Sequence, residues 1–170
     1  FTNYVAQFSS SPLAPLAQYW VGNFHFNQRN YQDAEADYQH RLMTQNTNLV
    51  FHELSFRARL MAAQCAFLRA KPSDARPYLT NLINDRNCPA DPKAEAYYML
   101  GDVVLQESPE AGTTNSLERL NNAIDIFNRV TNRLRPLARG KIADCHLQKG
   151  DYAQATNEYQ SVIDSGPLTD

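Results

Sequence analysis

The sequence predicts an all-α protein made of antiparallel helix pairs that stack into an open solenoid. Three stretches share one pattern, in which a small residue is followed twelve positions later by Ala and a large apolar residue stands four positions beyond that Ala. The three sets are Gly22, Ala34 and Tyr38; Ala63, Ala75 and Leu79; and Ala143, Ala155 and Tyr159. A recurring unit of roughly 30–45 residues is typical of solenoids, which usually hold other molecules on an extended surface.

The composition agrees with this prediction. The chain has 170 residues, of which 43% are hydrophobic, enough for one domain with a continuous core. Apolar residues recur at helical spacing, and the alternating β-branched runs of strands are nearly absent. With 16 basic and 18 acidic residues, the chain has no dominant positive field for nucleic acid, and its apolar runs are too short to span a membrane. We therefore expect neither a nucleic-acid partner nor membrane insertion.

Helix breakers divide the first half of the chain into four helices. Pro12 and Pro15 precede the first helix, Asn30 is the expected N-cap of the second, and Pro72 opens the turn before the fourth. The first three of these helices are expected over about 14–27, 31–44 and 49–69. The fourth is expected to follow the 72–74 turn and to end at about residue 85.

The second half also predicts four helices, over about 93–106, 116–131, 136–149 and 152–165. Gly150 is the expected C′ glycine and Asp151 the N-cap of the last helix. The spacing from Gly101 to Ala123 is ten residues longer than in the other units, which indicates a flexible loop inserted over 107–116.

Small residues are expected where the two helices of each pair meet. One on each helix allows close approach, and a bulky side chain one turn later fills the adjacent space. The first helices supply Gly22, Ala63, Gly101 and Ala143; the second helices supply Ala34, Ala75, Ala123 and Ala155, followed by Tyr38, Leu79, Phe127 and Tyr159. Cys65 and Cys145 are expected to be buried beside these contacts, Trp20 is expected in the core, and Cys88 is expected at the surface.

These units resemble tetratricopeptide repeats. The match is carried by LARGKIADCHLQKGDYAQATNEYQSVID in the fourth unit and by YWVGNFHFNQRNYQDAEADYQHRL in the first. The repeats cover about 14–46, 49–87, 93–132 and 135–166, and residues 1–13 resemble the end of a preceding repeat and a linker. Because the pattern is already under way at Phe1, we expect a longer protein. The segment FTNYVAQFSSSPL running into APLAQYWVG resembles bacterial cell-envelope repeat proteins of the outer-membrane assembly lipoprotein and Tol-Pal coordinator types, which favours the cell envelope or periplasm over the cytoplasm.

The resemblance implies a right-handed superhelix whose first helices line a concave groove. One face of each first helix would form that groove. The residues on this face are Tyr19, Asn23, Phe26, Arg57, Leu60, Gln64, Tyr98, Asp102, Leu105, Lys141, Asp144 and Leu147. One sub-class of the family grips a C-terminal carboxylate with Lys, Arg and Asn. Asn23 fits that pattern, but Tyr19 stands where a Lys is expected, and Asp102 and Asp144 would repel an acid.

We therefore expect non-enzymatic binding of a protein or peptide, within a larger scaffold. Tyr19, Phe26 and Tyr98 are candidate aromatic anchors, with packing between helices as the alternative. Polar contacts from Asn23, Arg57 and Gln64 would set the register, and Asp102 and Asp144 would attract a basic residue or remain solvated surface acids.

Two further functions remain open at this stage. A spacer or self-association role is favoured by the apolar stripe Phe1, Tyr4, Val5 and Phe8, since solenoid ends need polar caps. An enzyme would require a convergent His or two facing carboxylates in a closed pocket. The adjacent Cys145 and His146 point about 100° apart on a helix and cannot form a dyad. The sequence has no metal-binding or phosphate-loop motif, so we expect no cofactor.

Overall fold

The computed structural model describes residue 7 and residues 11–39, 52–107 and 116–166. This part of the chain forms eight α-helices and one short 3-10 helix over Asn132–Leu134. The helices are α1 (Ala14–Asn27), α2 (Tyr31–Gln39), α3 (His52–Leu68), α4 (Pro72–Asn84), α5 (Ala90–Gln106), α6 (Ser116–Phe127), α7 (Arg135–Lys149) and α8 (Tyr152–Asp164). The predicted all-α fold of paired helices is confirmed.

The helices divide into two compact units, Phe1–Cys88 and Pro89–Asp170. Unit 1 contains α1 to α4 and unit 2 contains α5 to α8, and within each unit every helix packs on the next one along the chain. In unit 1, Tyr38 of α2 shares a core with three residues of α3: Ala58, Ala62 and Cys65. In unit 2, Phe127 of α6 shares a core with the corresponding residues of α7: Ala138, Ile142 and Cys145.

Two glycines allow the closest helix contacts. A Cβ added to Gly22 would lie 2.7 Å from Cε1 of Tyr38, and one added to Gly101 would likewise run into the ring of Phe127. The corresponding Ala63 and Ala143 have no exposed surface. The predicted meeting of small residues with a bulky residue of the second helix is therefore confirmed for both glycines.

Three first helices end in the same turn. Arg29, Ala70 and Gly150, each seven residues after the small residue, have φ angles of 61°, 57° and 81°. The backbone N–H of the following residue bonds five residues back in each case, to the carbonyls of His25, Ala66 and His146. This left-handed turn satisfies the last carbonyls of each helix, as glycine usually does at this position. Only the third turn has the glycine.

Several helix ends differ from the prediction. Helix α5 begins at Ala90 rather than near Lys93, because the first turn of a helix tolerates the ring of Pro92. Helix α6 ends at Phe127 rather than near Thr131, and the Arg135 guanidinium donates to the Asn128 carbonyl at 2.9 Å just beyond that end. The predicted end of the second helix, the start of the third and most of the 107–116 loop lie outside the described residues, as do Phe1, Tyr4, Val5 and Phe8.

The buried cysteines were predicted correctly at two of three positions. Cys65 and Cys145 have no exposed surface, and burial raises their pKa values to about 12 and about 11. Cys88 is also buried, so the expectation of a surface position was wrong. It lies where the chain turns back after α4, and its backbone N–H bonds to the Asp85 carbonyl.

The expectation that Trp20 lies in the core was also wrong, because half of this residue is exposed. Its neighbour Tyr19 turns toward Tyr38 instead, and successive side chains on a helix point about 100° apart. Lys141 occupies the same position relative to its small residue in unit 2 and is also partly exposed, so this is a surface position in both units.

Candidate protein-interaction faces

Helix α1 places Tyr19 and Asn23 one turn apart on the same side. The Tyr19 ring lies 5.6 Å from the Tyr38 ring, centroid to centroid, at an interplanar angle of 53°. The Tyr38 hydroxyl donates to Asn23 Oδ1 at 2.7 Å. Both residues are partly exposed while Tyr38 is fully buried. The buried tyrosine therefore supports the two predicted site residues from below.

Helix α3 contributes Arg57 and Gln64, which are both exposed. The Arg57 guanidinium pairs with Glu53 Oε1 at 2.9 Å, one turn earlier on the same helix. Burial raises the pKa of Tyr19, and the positive charge of Arg57 and the Asn23 side chain partly oppose that rise. Arg57 thus interacts electrostatically with Tyr19 across the two first helices of unit 1. We call Tyr19, Asn23, Arg57 and Gln64 the unit 1 face.

Phe26 lies differently from these four residues. Its ring packs edge-on against Tyr31 of α2, with centroids 5.5 Å apart, and it borders the core that contains Tyr38. The structure therefore gives Phe26 a packing contact between α1 and α2, the alternative that the sequence left open.

Helix α5 repeats in unit 2 the aromatic arrangement of α1. Tyr98 stands three residues before Gly101, as Tyr19 stands three before Gly22. Its ring lies edge-on to Phe127 with centroids 5.8 Å apart. In both units, then, a partly exposed tyrosine of a first helix rests on a buried ring of the second.

Charged residues surround Tyr98. Lys141 Nζ of α7 pairs with Asp102 Oδ1 at 2.8 Å, and the Tyr159 hydroxyl donates to Asp144 Oδ1 at 2.5 Å. Burial raises the pKa of Tyr98. Burial lowers the pKa of Lys141, but the Asp102 carboxylate outweighs that effect and leaves it raised. We call Tyr98, Asp102, Lys141 and Asp144 the unit 2 face. Lys141 pairs with Asp102 and also interacts with Asp144, so one lysine stands against two aspartates and the face is acidic.

Sequence reasoning named both members of the Lys141–Asp102 pair but did not join them. The two residues are 39 positions apart in the sequence. Their positions within the repeat could have joined them: Asp102 is one residue after the small residue of α5, and Lys141 is two residues before the small residue of α7. It also missed a network in which the buried Glu35 pairs with Arg69 and accepts a hydrogen bond from the Tyr78 hydroxyl at 2.9 Å. This network joins α2, α3 and α4 in unit 1.

Two features of the described residues bear on acid–base chemistry: a cavity in unit 1 and the contact between His25 and Asp37. A cavity of about 340 Å³ in unit 1 is lined by Arg59, Tyr78, Asn81, Asn84 and Asp85. Its carboxylate, Asp85, pairs with Arg59 at 3.1 Å, and it is the one carboxylate among the described residues that line the cavity. His25 does not line this cavity; its Nδ1 contacts Asp37 Oδ2 at 2.6 Å and so joins α1 to α2. Among residues 11–39, 52–107 and 116–166, no three His, Cys, Asp or Glu side chains cluster as a metal site would require.

The paired helices and the two repeated faces define a helical-repeat protein. The family model for the tetratricopeptide repeat matches residues 1–42, a range that includes the described part of the first helix pair. That match and the paired helices support the predicted resemblance to tetratricopeptide repeats. No curated protein matches it.

Tetratricopeptide repeats generally mediate protein–protein interaction, bind proteins or peptides, and are typically non-enzymatic. None of the described helices combines the length and the apolar content that a membrane span requires.

Proposed function

We propose that this chain is a non-enzymatic binding module that holds a peptide or partner protein along the first-helix faces of its repeats, as part of a larger scaffold. One observation carries the proposal. The same arrangement occurs twice, with a partly exposed tyrosine resting on a buried ring and a polar side chain one turn beyond it. The cell-envelope resemblance of the N-terminal segment favours a partner in that compartment.

The side chains of the two faces indicate which partner groups they can bind. Tyrosine and arginine are enriched among the residues that dominate binding energies, and Tyr19 and Tyr98 are already fixed by the rings beneath them. A side chain ordered before binding loses less conformational entropy when the partner docks. Each tyrosine therefore acts as a preorganised anchor for an apolar or aromatic side chain.

The polar residues on each face set register and charge preference. Arg57 and Lys141 have carboxylate partners within their own units, so neither is left to attract an acidic group strongly. Asn23 accepts from the Tyr38 hydroxyl and also hydrogen-bonds Tyr19, so its side chain is oriented on the unit 1 face before a partner binds. Asp144 offers a negative charge, and we propose that a basic side chain of the partner binds beside it.

The test is a pull-down from source-cell extract with variants that spare the core. Because Tyr19 and Tyr98 rest on buried rings, replacing them would disturb folding as well as binding. The exposed pair Arg57→Glu/Gln64→Glu changes the unit 1 face instead. Gln32→Glu/Arg86→Glu makes the same change in charge at exposed positions on α2 and after α4. Equal folding of the variants is checked first by circular dichroism.

We expect the wild type and the Gln32/Arg86 variant to capture equal amounts of the same partner. The Arg57/Gln64 variant should capture at least about tenfold less, because it loses polar contacts and reverses a charge at the binding surface. Equal retention by both variants would show that binding takes place elsewhere and would reject the proposal.

A second candidate function is a spacer or self-association segment. It is favoured by an exposed apolar stripe formed by Leu16, Trp20 and Phe24 of α1 and by Leu13, the residue before the helix. Contiguous exposed apolar surface commonly marks an interaction site. This stripe lies outside the unit 1 face, so the two functions are compatible.

A further inference from the structure

Within each unit, the second helix of one pair is covered by the first helix of the next. Four apolar residues of α6 and the turn after it are at most 5% exposed: Leu120, Ala123, Phe127 and Val130. They share one core with three residues of the covering helix α7: Ala138, Ile142 and Cys145. In unit 1, Tyr38 of α2 shares a core with the corresponding residues of α3: Ala58, Ala62 and Cys65. These interfaces show what a second helix packs against when it is covered.

Helix α8 repeats this spacing without the cover. Its residues Tyr152, Ala155, Tyr159 and Val162 stand at the same intervals of three, four and three positions as the four residues of unit 2 described above. Ala155 is buried, but Tyr152 is 68% and Tyr159 is 36% exposed, and Val162 is half-buried. We call Tyr152, Tyr159 and Val162 the α8 face. Its exposure shows that no described helix covers it as α7 covers α6.

Tyr159 already has the hydrogen bond of a covered ring. Its hydroxyl donates to Asp144 Oδ1 at 2.5 Å, and the hydroxyl of the covered Tyr38 donates to Asn23 Oδ1 at 2.7 Å. Asn23 and Asp144 each follow the small residue of their first helix by one position. The ring of Tyr159 is therefore held in place before anything docks on it, which lowers the entropic cost of docking.

The two internal interfaces specify the kind of helix that fits. The covering helices α3 and α7 carry the same series at intervals of four and three: Ala, then Ala or Ile, then Cys. All six of these residues are at most 2% exposed. Small side chains at these positions let a helix approach a ring closely and pack without voids. The α8 face thus suits an amphipathic helix with small residues at the same intervals.

Asp144 adds a charge requirement to that helix. Asp102 stands one position after Gly101, as Asp144 stands one position after Ala143. Asp102 Oδ1 pairs at 2.8 Å with Lys141 Nζ, which lies on the covering helix three positions after its first alanine. A lysine or arginine three positions after the first small residue of the docked helix would meet Asp144 in the same way.

The described helices of a second copy do not offer such a surface. The small residues of α3 and α7 are buried inside their own units. The corresponding positions of α1 and α5 are buried as well; they are Ala17, Val21, Ala96 and Leu100. A helix that docks on the α8 face therefore comes from another molecule.

We propose that the α8 face binds an amphipathic helix of a partner protein. That helix carries small residues at intervals of four and three and a basic residue three positions after the first of them. The contact continues the stacking by which α7 covers α6. The inference goes beyond the proposed function and does not rest on binding along the first-helix faces.

The experiment uses a peptide that has the properties of the expected helix. The probe is a fluorescently labelled peptide of residues 132–150, the sequence of α7, with Gly140→Ala to favour the helix. Its binding to the whole chain is titrated by fluorescence anisotropy under reducing conditions. Tyr152→Ala removes the most exposed residue of the α8 face, and Leu68→Ala, at an exposed leucine of unit 1, is the matched control. Circular dichroism first checks that both variants fold like the wild type.

We expect the wild type and the Leu68 variant to bind the peptide equally. The Tyr152 variant should bind it at least about tenfold more weakly, because tyrosine is a common source of binding energy at interfaces. Binding to α6 cannot produce this difference, since Tyr152 lies on α8. A peptide with Ala138→Phe should not bind, because its ring would occupy the place of Tyr159, and one with Lys141→Gln should bind more weakly.

Failure of the α7 peptide to bind would overturn the inference, as would equal binding by the Tyr152 variant or undiminished binding of the Ala138→Phe peptide. Self-association of the wild type that Tyr152→Ala abolishes, measured by sedimentation equilibrium, would show that a second copy covers the α8 face and would overturn it too. None of these results bears on the pull-down with the Arg57/Gln64 variant, so the two proposals can fail separately.

Discussion

The backbone of Gly101 lies directly against the ring of Phe127, so closely that an added Cβ would come within 3.0 Å of three ring carbons. The contact joins α5 to α6 at the point where the sequence placed its small residue. Gly22 and Tyr38 form the same contact in unit 1. The backbone of the first helix thus packs against an aromatic ring that also supports a candidate binding residue, Tyr98 or Tyr19.

We predict that Gly101→Ala destabilises unit 2, although alanine is the better helix former by about 1 kcal/mol. Overpacking a filled core costs about 1–3 kcal/mol, and the Phe127 ring is fully buried and has little room to move. The control is Gly140→Ala, since nothing lies within 4 Å of an added Cβ there and the change should stabilise α7. Urea unfolding measures both, and a more stable Gly101 variant would contradict the packing described.

The shared turn after three first helices predicts a gain in stability from a glycine. Ala70 has a φ of 57°, a conformation that residues with a Cβ adopt at a cost of about 1 kcal/mol. We expect Ala70→Gly to raise the free energy of unfolding by about 0.5–1 kcal/mol, and Gly150→Ala to lower it by a similar amount. Thermal unfolding of the two variants checks this, and changes of the same sign would refute the explanation.

The Glu35 network predicts a large effect from a single buried carboxylate. Removing Glu35 leaves Arg69 and the Tyr78 hydroxyl without their shared acceptor inside unit 1. We expect Glu35→Ala to destabilise by about 3 kcal/mol, the low end for a broken buried pair, because Arg69 keeps some exposure. Glu53→Ala breaks the exposed pair with Arg57 and should cost less than about 1 kcal/mol. Similar losses in both variants, measured in urea, would be inconsistent with this assignment.

The buried hydroxyl of Tyr38 predicts sensitivity to alkaline pH. Burial raises its pKa above the ordinary 10.0, so above that pH the unfolded chain loses the phenol proton while the folded chain retains it. Stability contributed by Tyr38 is therefore present below about pH 10 and falls as the pH rises. The pKa values of Tyr78 and Cys65 are also raised in unit 1, so they add to the same trend.

We expect Tyr38→Phe to be about 1 kcal/mol less stable than wild type at pH 8, because it loses the hydrogen bond to Asn23. Its stability should then decline less steeply between pH 10 and pH 11 than that of the wild type. Phenylalanine already stands at this position in unit 2 as Phe127, so the ring itself is compatible with the fold. Parallel pH profiles for the two proteins would show that Tyr38 does not titrate as described.

The sequence was sufficient for those features that depend on spacing within one repeat. The twelve-residue interval located the pairs of small residues in three units, and the four-residue step after Ala34 and Ala123 located Tyr38 and Phe127. It failed for Trp20, because an apolar residue beside an inward-facing tyrosine lies about 100° away and reaches the surface.

Contacts between repeats were harder to predict. Glu35 meets residues 34 and 43 positions away, and Lys141 meets one 39 positions away. Such pairs depend on how far one helix slides past another, which helical periodicity does not determine. The candidate faces were therefore predictable as residues on one side of each first helix, but their ion pairs and supporting rings were not.

The most direct test of protein binding by the first-helix faces is site-specific photo-crosslinking in source-cell extract. A photoreactive amino acid replaces Gln64, exposed on the unit 1 face, or Gln32, exposed on α2. We expect one partner protein to crosslink from Gln64, much less of it to crosslink from Gln32, and Arg57→Glu to abolish the product. Crosslinking of the same partner from Gln32 but not from Gln64 would show that the partner does not bind the unit 1 face.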